Sequence, residues 1–473
     1  MKIKTLLSLL IVLLLASCSD NDVVLDKNND VSLQSIAYST AKTSFSYHID
    51  YSLLMKFINL REKKATNIIP LTYKNDTIAY YVQYVSGWEI LSADKRMAPV
   101  IIKDESGALD SPNDDGQIQN LIANIAKMKD NLPTKINGIW QLWETKSTNK
   151  RRVARGIGQG MWIPQDTTYY GQTTGIDKII TTKWGQNYPW NTFTKIINSE
   201  NAPVGCGPVA AGQVIYHFRK TNPRDCEIPT SAKYANGSVT PEYSDFSSSC
   251  WPLLAREIAY VDYPNYTAIF LGYLGKQMEV KYGLKESSVN AIKIGTALQD
   301  YKLAYNKRDN YDFHSIYSDL KCNQPVILCA ETSDKNSAHA FIVNGYATET
   351  EKLKVAYQWD PEHRITEWEY ANYDESMFMQ DATGNEYKEE EIIISENVYF
   401  RMNWGYSGYE DNRLYNVAYS TSVPIETGGR PDYIFEETVY SPYWICGKDG
   451  KTGKDIIYNR IYKAFYNIRE NNY

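Results

Sequence analysis

Apolar and polar residues change rhythm several times along this chain, and each change predicts an element. An apolar run from Leu6 to Ala16, behind Lys2 and Lys4, is too short to span a bilayer and reads as an export signal over residues 1–17. The polar residues 18–35 read as a flexible tether. Beyond them Ile78, Tyr80, Val82 and Tyr84 alternate behind the turn-forming Lys74-Asn75-Asp76, which predicts a hairpin strand. Gly87 to Ile101 (GWEILSADKRMAPVI) continues as strand, with a turn at Ala93-Asp94. Ile118, Leu121, Ile122 and Ile125 then recur at helical spacing behind Asp114-Asp115, either of which can cap the helix. Further on, Val209, Ala210, Val214 and Phe218 repeat the helical period, and Pro208 suits a first turn, so a buried helix opens just after Cys206. Ala340-Phe341-Ile342-Val343 reads as a short core strand headed by His339 and ended by Asn344-Gly345, and Val398 to Met402 as another strand.

These elements group into two folded parts. Residues 36–150 form a small α+β unit with no catalytic constellation, and residues 161–473 stay aromatic and globular without an internal repeat. Between them, at 151–160, a basic stretch begins with Lys150-Arg151-Arg152-Val153-Ala154-Arg155-Gly156. It is either a charged linker or a processing site, with Arg152 and Arg155 as the residues a trypsin-like protease would use.

A net charge of −6 and a pI near 5.6 argue against nucleic acid as a partner. The 39 Tyr suit a carbohydrate- or peptide-binding surface, or simply an extracellular composition. Leu15-Ala16-Ser17-Cys18 resembles the lipobox of bacterial lipoproteins, which implies cleavage before Cys18 and a lipid anchor there; the alternative is a plain secretory signal. Ser19-Asp20-Asn21-Asp22 looks like the acidic signals that send some Gram-negative lipoproteins to the cell surface, so the expected location is the outer membrane or surface, with the mature enzyme either still tethered or released once cut from the lipid-bearing side. With Cys18 and Cys206 set apart, Cys226, Cys250, Cys322, Cys329 and Cys446 remain, an odd number and no fully paired disulfide framework. No cysteine or histidine spacing suits zinc, and no cofactor is expected.

Cys206 stands between Gly205 and Gly207 at a helix start, where the first-turn N–H groups favour a thiolate and a substrate backbone can approach closely. In isolation it is equally a small buried cysteine in a tight turn. A base would have to come from five histidines. His217 lies on the same helix, about 16 Å up its axis. His48 is in the N-terminal unit, while His314 and His363 read as surface residues. His339 heads a core strand that can aim its ring into a cleft, at a separation within the range of about 130–150 residues typical of papain-like cysteine and histidine. Gln186, upstream, can donate to an oxyanion beside the Cys206 N–H, or be an ordinary exposed amide. Asn403 can accept the imidazole N–H and Trp404 shield that bond, or Trp404 can be a core aromatic.

The order Gln186, Cys206, His339, Asn403-Trp404 resembles the streptopain family of papain-like cysteine peptidases. AP-x-GC-x-P-x-A-x-x-Q at Cys206, HAF-x-V-x-GY at His339 and NWG-x-x-G at Asn403 are similar to its motifs, and GWEILSADKRMAPVI to a segment of its inhibitory prodomain. The resemblance implies an α+β fold: a two-lobed papain-like catalytic domain, one lobe helical and one an antiparallel sheet, preceded by a small α+β prodomain that blocks the cleft until cut off. It implies Cys206 as nucleophile, His339 as base and acid, Gln186 in the oxyanion hole, and Asn403 with Trp404 orienting His339. Protein or peptide substrates and an activating protease, or self-cleavage, follow as partners. The chain departs from the family in a longer His339-to-Asn403 interval, about Glu349 to Asn397, which looks like an inserted hairpin. Tyr406 stands where a second Trp is common, and the tail past Ser420 is longer. A surface binding protein on an inactive peptidase fold, or a transglutaminase-like acyl transferase, are the alternatives.

Overall fold

In the computed structural model the described residues are 47–129, 132, 140 and 158–471, with breaks at 62, 225, 229–232, 239–246, 255–264, 333–334, 336, 366–378, 381–383, 409–410, 428–429, 436–438, 441–444, 449–454 and 459. The export signal, Cys18, the tether, Arg152 and Arg155 lie outside them. The N-terminal part opens with α1 (Tyr51–Leu60), capped by Asp50, whose carboxylate accepts from the Leu53 N–H at 2.7 Å. An antiparallel meander follows: β1 (Ala65–Tyr73), β2 (Asp76–Tyr84), β3 (Trp88–Ser92) and β4 (Val100–Asp104). Lys74 and Asn75 turn β1 into β2 with φ of 50° and 71°, the left-handed pair whose twist matches that of the strands. Asp115 caps α2 (Gly116–Met128), and the four isoleucine and leucine positions of its expected apolar face are buried.

The remainder supplies a long strand, β5 (Gly158–Ile176), a small ribbon of β6 (Ile196–Ile197) and β7 (Glu200–Asn201), and then α3 (Cys206–Arg219). A 3-10 turn at Ser248–Leu253 leads to α4 (Tyr266–Gln277), α5 (Ala291–Asp300), β8 (Leu303–Arg308) and α6 (Phe313–Lys321). The sheet is completed by β9 (Val326–Glu331), β10 (Ala338–Ile365), β11 (Tyr387–Asn403), β12 (Leu414–Thr427), β13 (Arg430–Phe435), β14 (Val439–Tyr440) and, after the separate ribbon β15 (Ile445–Lys448) and β16 (Asp455–Tyr458), by β17 (Arg460–Glu470). The result is the expected α+β class: helices against an antiparallel sheet in the order β1-β2-β3-β4-β12-β11-β10-β9-β17-β8. The N-terminal meander joins the main sheet at its edge, because β4 pairs with β12.

Two expectations change. β10 does not stop at Asn344-Gly345 but runs on to Ile365. The Asn-Gly pair is a bulge, marked by a register shift, where the Asn344 side chain bonds both the N–H and the carbonyl of Ile180 at 2.7 and 2.8 Å. Gly345 is needed there because a Cβ would fall 2.0 Å from the Asp177 carbonyl oxygen. His363 accordingly lies in a strand rather than a loop. The longer tail past Ser420 belongs to the sheet, since β17 returns between β9 and β8 and buries Ile461, Ala464, Phe465 and Ile468. The expected inserted hairpin consists of the outer limbs of β10 and β11, with β5 paired along the other side of β10 from Tyr346 outward.

Candidate active site

Cys206 is the first residue of α3, and its preceding Gly205 holds φ at +98°, a conformation that disfavours any residue with a Cβ. The loop carrying Gln186 is tied to this turn by the Val204 N–H donating to the Gln186 carbonyl at 2.8 Å. α3 is buried on nearly every side, so the cysteine is fixed by core packing rather than by a surface loop. His339 comes from the opposite direction, on β10, where it pairs with Ala330 of β9. Cys206 and His339 line the same pocket, of about 120 Å³, with the Glu286–Val289 segment and Ser337–Ala340 among its walls.

The imidazole is 3% exposed and packed by rings. Tyr406 stacks on it at 4.9 Å and 12°, and Phe341 and Trp404 lie beyond at 6.1 and 6.2 Å. Its Nε2 is 2.8 Å from the Trp404 carbonyl oxygen. A carbonyl can only accept, so Nε2 carries the proton and Nδ1 keeps the lone pair; the Tyr406 hydroxyl is 3.4 Å from that Nδ1. Burial lowers the His339 pKa to about 4, against the pull of the bond to Trp404.

The structure corrects one assignment. Asn403 does not receive the imidazole proton; its amide donates to the Thr182 carbonyl at 2.9 Å and exchanges two 3.1 Å bonds with Gln213 of α3. Its Oδ1 also accepts from the Gly405 N–H at 3.1 Å. Asn403 therefore fastens the end of β11 to α3, and the residue after it orients the histidine through its backbone. Trp404 is buried as expected, and its own N–H donates to the Asp411 carboxylate at 3.3 Å. Gln213 closes the Cys206 motif and Tyr406 follows Asn403-Trp404, but neither position announces its contact; Asp411 carries no spacing signal, and a main-chain acceptor is invisible to residue type.

A second expectation concerns charge. Cys206 keeps partial exposure, yet burial is the largest influence on its thiol and pushes it up; the N–H groups of Ala340, Gly207 and Cys206 itself draw it down, and Glu286 opposes them. Burial thus outweighs the helix-terminus field that favours a thiolate. In this uncut arrangement both members of the pair sit on the neutral side. Residues 47–129 of the N-terminal unit do not line the Cys206 pocket. Among the described residues, Cys206, Cys226, Cys250, Cys322 and Cys329 are in no disulfide. Among the described residues no group of His, Cys, Asp and Glu is arranged to hold a metal ion, and no helix is long and apolar enough to cross a membrane.

Residues 184–363 match the family model described as the Peptidase C10 family, a span that holds Gln186, Cys206 and His339 and ends before Asn403. The chain matches none of the curated proteins it was compared with. Among solved structures it is similar to a fragment of Prevotella intermedia prointerpain A, at 15% identity over 78% of this chain and 100% of that one, with a TM-score of 0.40. It is also similar to active wild-type interpain A cysteine protease from Prevotella intermedia, at 14% identity over 62% and 94%, with a TM-score of 0.33.

Proposed function

We propose that this chain is a cysteine peptidase of the C10 family whose model residues 184–363 match, with Cys206 as its nucleophile and His339 as its general base and acid. The observation that carries the reading is that these two side chains, delivered by a buried helix and a core strand, wall one pocket. Nδ1 of His339 takes the proton from the Cys206 sulfur, and the thiolate adds to a peptide carbonyl. The oxyanion is held by the Cys206 N–H and the side-chain amide of Gln186. The imidazolium then protonates the leaving amine, and water releases the acyl group with Nδ1 again as base. Throughout, the Trp404 carbonyl keeps the other ring nitrogen protonated.

The chain is further proposed to be an exported precursor, lipidated at Cys18 and held at the outer membrane or cell surface of a Gram-negative bacterium. Cutting near Arg152 or Arg155 activates it, and the two neutral groups of the uncut arrangement fit a latent enzyme. A Cys206→Ala variant tests the assignment: it should fold, as judged by circular dichroism, and lose casein hydrolysis completely, whereas retained hydrolysis would reject Cys206. Mass spectrometry of the same preparation should find lipid on Cys18, and an unmodified N-terminus elsewhere would reject the anchor.

A further inference from the structure

Tyr462, carried by β17, lines the Cys206 pocket although it lies far beyond the matched span 184–363. β17 pairs with β9 through Ile461 opposite Ala330 and Lys463 opposite Cys329, with a register shift between the two. Tyr462 is therefore the extra residue of a bulge, a device that re-aims a side chain. The bulge sits at the step of the sheet that carries the histidine, for Ala330 is opposite His339 on β10 and Cys329 is opposite Ala340. Its flanks are fixed on both sides: Ile461 is buried in the core, and the Lys463 ammonium donates to the Asp309 carboxylate. Burial first, then Cys329, Cys206 and Glu331, hold the Tyr462 hydroxyl above the usual phenol range, so the ring stays neutral beside both sulfurs.

The pocket that this ring helps to close is small. At about 120 Å³ it lies well below the ~300 Å³ at which sites for drug-sized ligands begin, so it suits a single side chain. Glu286 stands on its polar side with Ser287 and Ser288, while Val289, Ala291, Ile294 and Cys329 give it an apolar one. Tyr462 is the bulkiest of the described lining residues and adjoins Cys329 on the apolar side. An aliphatic side chain entering there would pack against the ring, whereas an aromatic one would compete with it for the same space.

We propose that Tyr462 is a specificity-determining residue, whose ring restricts the substrate side chain held in the Cys206 pocket to small and branched aliphatic groups and shuts out aromatic ones. The proposal deepens the reading of Cys206 as nucleophile and rests on it.

The test uses full-length protein with a tobacco etch virus protease site over residues 150–156, cut at that site, as the unsubstituted chain, Tyr462→Ala and Tyr462→Phe. Each is assayed on fluorogenic peptides in which one position at a time is varied. At one position the unsubstituted enzyme should prefer Val or Leu to Phe or Trp. Tyr462→Ala should raise kcat/KM for Phe relative to Val there by about tenfold, with kcat on the Val peptide changed less than about threefold. Tyr462→Phe should keep the original profile, because the ring and not the hydroxyl sets the limit. A merely structural role would lower all peptides alike and leave the ratio unmoved. If Tyr462→Ala does not fold, Tyr462→Leu makes the same comparison. An unchanged ratio in a variant that cleaves the peptides, or no aliphatic preference in the unsubstituted enzyme, would overturn the proposal and leave the nucleophile standing. Hydrolysis that persists in Cys206→Ala, or none by the cut chain, would remove the reading beneath it.

Discussion

His339 depends for its chemistry on a neighbour that no residue type could have announced. The sequence points to Asn403 as the acceptor for the imidazole, but the peptide after it does that work, and Asn403 spends its amide on Gln213 and Thr182. This division has a measurable signature. His339 is held near 4 in the fold against about 6.5 in an unfolded chain. A depressed pKa means that its contribution to stability is full above about 6.5 and is lost as pH falls through about 4. In urea titrations on the Cys206→Ala parent, His339→Gln should remove that part of the pH dependence. Asn403→Ala should instead lower the whole curve by about 1–3 kcal/mol, the cost of leaving buried partners unbonded, without changing its shape. A changed shape in Asn403→Ala would mean that the amide, after all, sets the imidazole. That Cys206 and His339 would face one pocket was legible because each is a residue type the chemistry requires at a motif position. Asp411 and Tyr406 were not, since their roles arise from a fold-back of the loop after β11.

Among the elements, those that face one core read clearly from their period. β2, α2 and α3 form where the sequence put them, although β2 is buried on both faces and α3 on nearly every side. Elements that break a local rule did not. Asn344-Gly345 carries turn chemistry but serves as a bulge inside β10, because the 177–180 backbone crosses there. β17 lies so far beyond the motifs that its return to the sheet could not be inferred. The docking of α1 is similarly hidden, for its partners Glu349 and Glu351 lie in what reads as an insertion. Arg61 connects Glu89 of its own unit with both of them, at 2.9, 2.9 and 3.4 Å. Arg61→Met should lower the stability of the uncut chain by about 3–5 kcal/mol, because three buried carboxylates lose their shared cation. Chemical denaturation measures this, and a loss under about 1 kcal/mol would show that the cluster contributes little.

At the scale of the molecule, the Cys206–His339 pair lies where a helical layer meets an antiparallel sheet, and the N-terminal unit extends that sheet at the far edge from β8. The order of the motif blocks made the meeting of Cys206 and His339 legible. The way the parts are joined was not, because sheet continuation and a mixed seam of ions and rings are properties of contact rather than of pattern. The central claim is that Cys206, alone among the described cysteines, becomes a nucleophile through His339. Its most direct measurement is the mass of each cysteine peptide after brief exposure of uncut and cut protein to the epoxide inhibitor E-64. The account expects one equivalent on Cys206 of the cut enzyme, little on the uncut chain, and none in His339→Ala; label absent from Cys206, or spread over exposed Cys322, would contradict it.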